Sequence, residues 1–188
     1  MDEELMDLLR QRVVEGAVGS TALRNQGSPN VIAFARKSLK KVNVANFVVE
    51  KEEDFRAVLE RETESIRKSL PVGAKNWGAA RKALNLFLRD ILYNQYLCDF
   101  YKFNKIEKWL EVPLDSNVAE GIEESYLGNL PKWKGIKHLK TEDSSVFQQA
   151  ALNVAKAKQI ARVHLDIYWW RRLGKRRWRA ADDPLRGE

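Results

Sequence analysis

Apolar positions recur at helical spacing along most of this chain, and the interruptions fall at Gly, Pro and Asn. Leu5, Leu8, Leu9, Val13 and Val14 predict an opening amphipathic helix that stops near Gly16 and Gly19. The turn-rich run Arg24-Asn25-Gln26-Gly27-Ser28-Pro29-Asn30 follows, with Pro29 suited to the start of the next helix. That helix runs from Val31 to Leu39, with Ile32, Phe34 and Ala35 on its apolar side. Asn43 to Glu50 is the one stretch that reads as a short strand. From Glu52 to Leu70, Phe55, Val58, Leu59 and Ile66 return to helical spacing among many charges. Pro71 and Gly73 end that helix, and a turn through Trp77 leads into a long one from Gly78 to Phe100. Its apolar face carries Leu84, Phe87, Leu88, Ile91, Leu92 and Tyr96.

The second half follows the same pattern. A shorter helix, Lys105 to Leu110, precedes Pro113, and Asp115 or Ser116 is placed to cap a helix through Ile122. Gly128 to Gly135 is a loop, and Ser144 or Ser145 caps a terminal helix through Leu173, stopped by Gly174. Period-2 patterning is almost absent, so the expected class is all-α, in one domain over 1–188.

Charge adds a direction to this picture. The net charge is +7, but nine Lys/Arg against the single acid Asp166 give the segment 156–179 a net +8. The rest is close to neutral, so a phosphate-binding face is expected to include this end, with Arg171 and Arg172 as backbone anchors. Cys98 is the lone cysteine, which excludes a disulfide framework and any cysteine-built zinc or iron–sulfur site. His164 and Asp166, two apart on a helix, do not face each other, and His138 has no partner ligands, so neither metal nor cofactor is expected. No apolar run is long enough to cross a bilayer, and Met1-Asp2-Glu3-Glu4 is not a secretory start. The expected setting is intracellular, the cytoplasm or nucleoid (the nucleus in a eukaryote), with no membrane association and no obligate protein partner.

Two short runs carry candidate chemistry. In Gly78-Ala79-Ala80-Arg81-Lys82-Ala83-Leu84-Asn85 a glycine-led turn runs into a helix. Gly73 and Gly78 would let backbone N–H groups approach phosphate, with Lys75 and Arg81 adding charge. The small neighbours Ala79, Ala80 and Ala83 would leave room beside the Lys82 amine. A lysine nucleophile reacts in its neutral form, so it has to be desolvated or set near other cations, here Arg81 and Arg89. In Val112-Pro113-Leu114-Asp115-Ser116-Asn117-Val118-Ala119, Asp115 supplies a carboxylate. It would stabilise positive charge at a glycosidic carbon and take the proton of an attacking amine. For reading an extruded base, Trp77 and Trp169, with its neighbour Trp170, offer stacking faces, and Gln26 an amide edge.

Together these runs resemble the hairpin lysine and the hydrophobic-Asp-Ser/Thr-His motif of helix-hairpin-helix base-excision DNA glycosylases. The 33-residue separation is longer than in endonuclease III-like members and is similar to the archaeal 8-oxoguanine glycosylase branch, which also lacks an iron–sulfur cluster. Three positions depart from the pattern: Trp77 replaces proline, Ala80 the second hairpin glycine and Asn117 the frequent histidine. The resemblance implies a two-lobed helical domain with the hairpin at about 62–100 and the active-site cleft between lobes. It further implies excision of an altered base, 8-oxoguanine, from double-stranded DNA. Abasic-site lyase nicking would follow through a Schiff base on Lys82, with Asp115 assisting. The alternatives are a non-catalytic helix-hairpin-helix DNA-binding module and a helical adaptor between proteins, the second of which leaves the basic end without a purpose.

Overall fold

A computed structural model describes residues 2–19 and 21–170. Eight α-helices run α1 (Glu3–Ala17), α2 (Val31–Leu39), α3 (Glu52–Ser69), α4 (Trp77–Tyr93), α5 (Gln95–Tyr101), α6 (Ser116–Ser125), α7 (Thr141–Ala157) and α8 (Leu165–Trp169). Short 3-10 turns link several of them, and the described residues contain no strand: the protein is all-α. No helix among them is long and apolar enough to cross a membrane.

Local chemistry explains where the elements depart from expectation. Val44–Phe47 is a 3-10 turn rather than a strand, because the Asn43 side chain accepts from the Ala45 N–H at 3.1 Å and closes the backbone on itself. The long helix expected from Gly78 to Phe100 is two helices. Asn94 ends α4 in an extended conformation, and its side chain caps α5 by accepting from Leu97 N–H. The helix expected over Lys105 to Leu110 is a 3-10 turn, Phe103–Trp109, with Leu110 just past its end. The expected terminal helix is divided too. Neither serine caps it: α7 starts at Thr141 and ends at Ala157, Gln159 takes the left-handed φ of 56°, and the chain resumes as α8.

Packing forms two hydrophobic clusters. The larger draws on α1 to α5 and is centred on Phe47, Phe55, Phe87 and Phe103, each fully buried. α3 and α4, joined by the turn 70–76, lie against each other within it. The charges of α3 complement its dipole, with Glu52, Glu53 and Asp54 in the first turn and Arg67 and Lys68 in the last. The smaller cluster joins α6, α7 and α8 around Phe147, Ile122, Ala151 and Leu165. Trp133, in the loop before α7, packs against both.

Candidate active site

Lys82 and Asp115 meet. Lys82 Nζ donates to Asp115 Oδ2 at 3.2 Å, across 33 residues of chain. The lysine side chain is only 9 % exposed and the aspartate 33 %, so the amine is nearly enclosed and reaches solvent on the carboxylate side. Asp115 does two jobs. It is the N-cap of α6, its Oδ1 accepting from Val118 N–H at 3.0 Å, which leaves Oδ2 for the lysine.

The backbone leading to Asp115 is held at several points. Arg162 donates to the carbonyls of Leu110 and Trp109. Gln148 of α7 clamps Val112 from both sides, accepting from its N–H at 3.1 Å and donating to its carbonyl at 2.8 Å. Between these anchors, Glu111 accepts from Asn85 of α4 at 2.9 Å and lies 3.6 Å from Arg81. A loop fixed by backbone and side-chain bonds at 109–112 delivers Asp115 to the wall of α4 with little freedom.

The pair opens onto a cavity of about 810 Å³, within the roughly 300–1,000 Å³ typical of small-molecule sites. One face of α4 forms its wall, with Lys82, Leu86, Arg89 and Tyr93 at successive helical turns. The end of α1, with Gly19, Thr21, Ala22 and Arg24 after it, forms another side. Asn117 of α6, Asp166 and Ile167 of α8, and Trp170 complete it. Beyond the Lys82–Asp115 pair, Arg89 bonds Asp166 and also Asp90, at 2.7 Å, tying α8 to α4. Burial pushes the Asp166 and Asp90 carboxyls up, against the pull of the guanidinium. Burial disfavours the Arg89 charge, but the two carboxylates outweigh it and raise its pKa. Burial also raises Tyr93 to about 12; its hydroxyl lies 2.9 Å from His164 Nδ1, and Glu107 sits 2.6 Å from the other ring nitrogen.

Several expected site residues lie elsewhere. Ala79, Ala80 and Ala83 are fully buried in the larger cluster, so the room beside Lys82 comes from the Leu86–Arg89 side instead. Arg81 is 7 % exposed and is consumed internally: it donates to Glu60 at 2.6 Å and Thr63 at 2.9 Å and stacks on Trp77. It is therefore not a free phosphate contact. Trp77 also donates to Glu60 through its indole N–H, so it braces α3 against α4 and does not line the cavity. Gly78 does not open a phosphate path: a Cβ there would overlap the Ile136 carbonyl oxygen, and the glycine serves close packing. Trp169 is core, its indole filling the space over Gly121, and the neighbouring Trp170 lines the cavity. Gln26 is buried in its turn, donating to the Arg24 carbonyl, while its Oε1 has no hydrogen-bond partner among the described residues. Gly73 (φ 91°) and Lys75 are exposed on the turn between α3 and α4. Arg171 and Arg172 lie outside the described residues.

Sequence reasoning missed Asp90, Asp166, Tyr93, Arg24 and Asn117 as cavity residues. A signal existed for Tyr93, because stepping from Lys82 by four, three and four residues along one helix reaches it. Nothing local marks Asp166 or Arg24, which arrive by tertiary packing. No family model, curated protein or solved structure matches this chain.

Proposed function

We propose that this chain is a base-excision DNA glycosylase with abasic-site lyase activity, acting through Lys82. The observation that carries the proposal is the nearly enclosed Lys82 amine, 3.2 Å from a carboxylate fixed as a helix cap, at the wall of a cavity with room for a nucleotide. α3 and α4 are then the helix-hairpin-helix, and the cavity is the cleft between two lobes built on the two hydrophobic clusters.

In this mechanism the extruded nucleotide enters the cavity and Trp170 offers it a stacking face. Asp115 takes a proton from Lys82, whose nitrogen lone pair then attacks the sugar C1′. The bond to the base breaks, and its electron pair leaves with the base, which is protonated from solvent. Positive charge that develops on the sugar faces the Asp115 carboxylate. Ring opening of the aminal gives a Schiff base, and loss of a proton from C2′ expels the 3′ phosphate and nicks the strand. The resemblance to the archaeal branch points to 8-oxoguanine as the altered base.

The test is a panel of duplexes, each with one altered base, assayed for base release under single turnover. At least one should be processed, and Asp115→Asn should slow its release by about 10²–10⁴-fold while leaving duplex affinity intact. If no altered base is released by the wild-type protein, or if Asp115→Asn releases it at the wild-type rate, the proposal fails.

A further inference from the structure

Among the described residues the cavity wall is electrically balanced: Arg24, Lys82 and Arg89 face Asp90, Asp115 and Asp166. These residues alone offer a polyanion no net attraction, which points to other described surfaces for phosphate contacts. The loop 132–140 supplies one. It carries Lys132, Lys134, Lys137 and Lys140 in nine residues, and no acid occurs from Tyr126 to Thr141. All four lysines are exposed, and none forms an ion pair with any described residue. Glu142 and Asp143, the next acids along the chain, are at the start of α7 and leave them unpaired.

What separates this loop from an ordinary solvated run is its anchoring. Its apolar residues turn inward between the lysines. Trp133 packs edge-on against Phe147 at 5.4 Å, and its indole N–H donates to Ser116 Oγ at 3.2 Å. Ile136 and Leu139 are buried, and the Ile136 carbonyl lies against Gly78. The loop is thus bolted to the first turn of α4, one turn before Lys82, and to the first residue of α6, next to Asp115. Lys137 Nζ reaches the junction where two left-handed glycines, Gly27 and Gly73, pack back to back; a Cβ on Gly27 would lie 3.6 Å from it. Exposed Lys75 follows on the same turn.

We infer that loop 132–140, with Lys75 on the adjoining turn, is a phosphate-backbone-binding surface for duplex DNA, held in register with Lys82 and Asp115. The inference rests on the DNA reading proposed above. An anchored loop backbone need not be ordered when its lysines meet phosphates, and each contact releases condensed counterions. The contacts carry no sequence information, and they set where along the strand the cavity falls.

The experiment is duplex binding by fluorescence anisotropy over a range of salt, on the full chain. Lys132, Lys134, Lys137 and Lys140 are all changed to Gln in one variant and to Arg in a second. In a third, the exposed Lys37, Lys41, Lys51 and Lys105 on other elements become Gln. Each phosphate contact contributes about 0.9 to the slope of log affinity against log salt. The loop Gln variant should be shallower by about 2–3.6, while the Arg and remote variants keep the wild-type slope. An unchanged slope in the loop Gln variant overturns the inference, and so does an equal loss in the remote variant, which would reflect net charge alone. Wild-type binding to phosphatidylserine-containing vesicles but not to duplex would also overturn it. Borohydride trapping at saturating abasic-site DNA separates this inference from the catalytic one. The predicted slopes with no adduct would leave the surface and remove the enzyme, whereas an adduct with unaltered slopes would do the reverse.

Discussion

Replacing Asp115 by Asn, and separately by Ala, distinguishes the two jobs its carboxylate does. Asn caps a helix about as well as Asp, so Asp115→Asn keeps the bond to Val118 N–H and removes only the countercharge of Lys82. Exposed ion pairs contribute about 0.2–1 kcal/mol, and stranding one member of a buried pair costs about 3–5 kcal/mol. Lys82 is nearly enclosed, but Asp115 is one-third exposed and solvent screens the pair, so the expected loss for Asp115→Asn is about 1–2 kcal/mol. Asp115→Ala also removes the cap and adds about 1 kcal/mol. Lys82→Met should behave differently. It removes the enclosed ammonium, leaves a carboxylate that reaches water and still caps α6, and should change stability by less than about 1 kcal/mol in either direction. Urea unfolding followed by far-ultraviolet circular dichroism at neutral pH measures all three. A Lys82→Met loss as large as that of Asp115→Ala would refute this reasoning, because the ammonium would then be a stabilising core element rather than a strained functional group.

Gly78→Ala should destabilise the fold by about 1–3 kcal/mol despite the higher helix propensity of Ala, since its Cβ overlaps the Ile136 carbonyl; the thermal midpoint reports it. Trp169→Ala should cost about 3–5 kcal/mol of stability, while Trp170→Ala should spare the fold and weaken binding of base-extruded DNA, a split read by comparing unfolding with duplex affinity. Tyr93 holds its proton to about 12 against an ordinary 10.0, so the folded state binds that proton where the unfolded chain has released it. Stability should therefore fall as pH rises above 10.0, by a contribution that Tyr93→Phe lacks, and a tyrosine absorbance titration should show one late step that Tyr93→Phe abolishes.

Much of this arrangement was legible as pattern. The 3.6-residue spacing of Phe55, Val58, Leu59 and Ile66 marked α3 to its ends, and the run Val31–Leu39 marked α2, because both helices bury one face and expose the other. Asp115 read as an N-cap and is one, since capping is a local property of a short acceptor before a helix. The failures share a cause in side chains that rebuild the local backbone or act over long distances. Asn94 caps the next helix and thereby breaks a continuous apolar stripe that periodicity cannot distinguish from one helix. Arg81 looked like a surface cation because the Glu60 and Thr63 that bury it lie 21 and 18 residues away. Trp169 ends α8 in the core, whereas Trp170 follows it in extended backbone and lines the cavity, so one residue at the helix end decided which is core. The cavity itself is a tertiary product, with walls drawn from α1, α4, α6 and α8.

Borohydride reduction in the presence of duplex DNA containing an abasic site tests most directly whether Lys82 is a Schiff-base-forming nucleophile. Wild-type protein should form a covalent adduct that peptide mapping places on Lys82, and Lys82→Gln should bind the same duplex without forming one. Failure of the wild-type protein to form an adduct under saturating DNA, or an undiminished adduct in Lys82→Gln, would contradict the assignment.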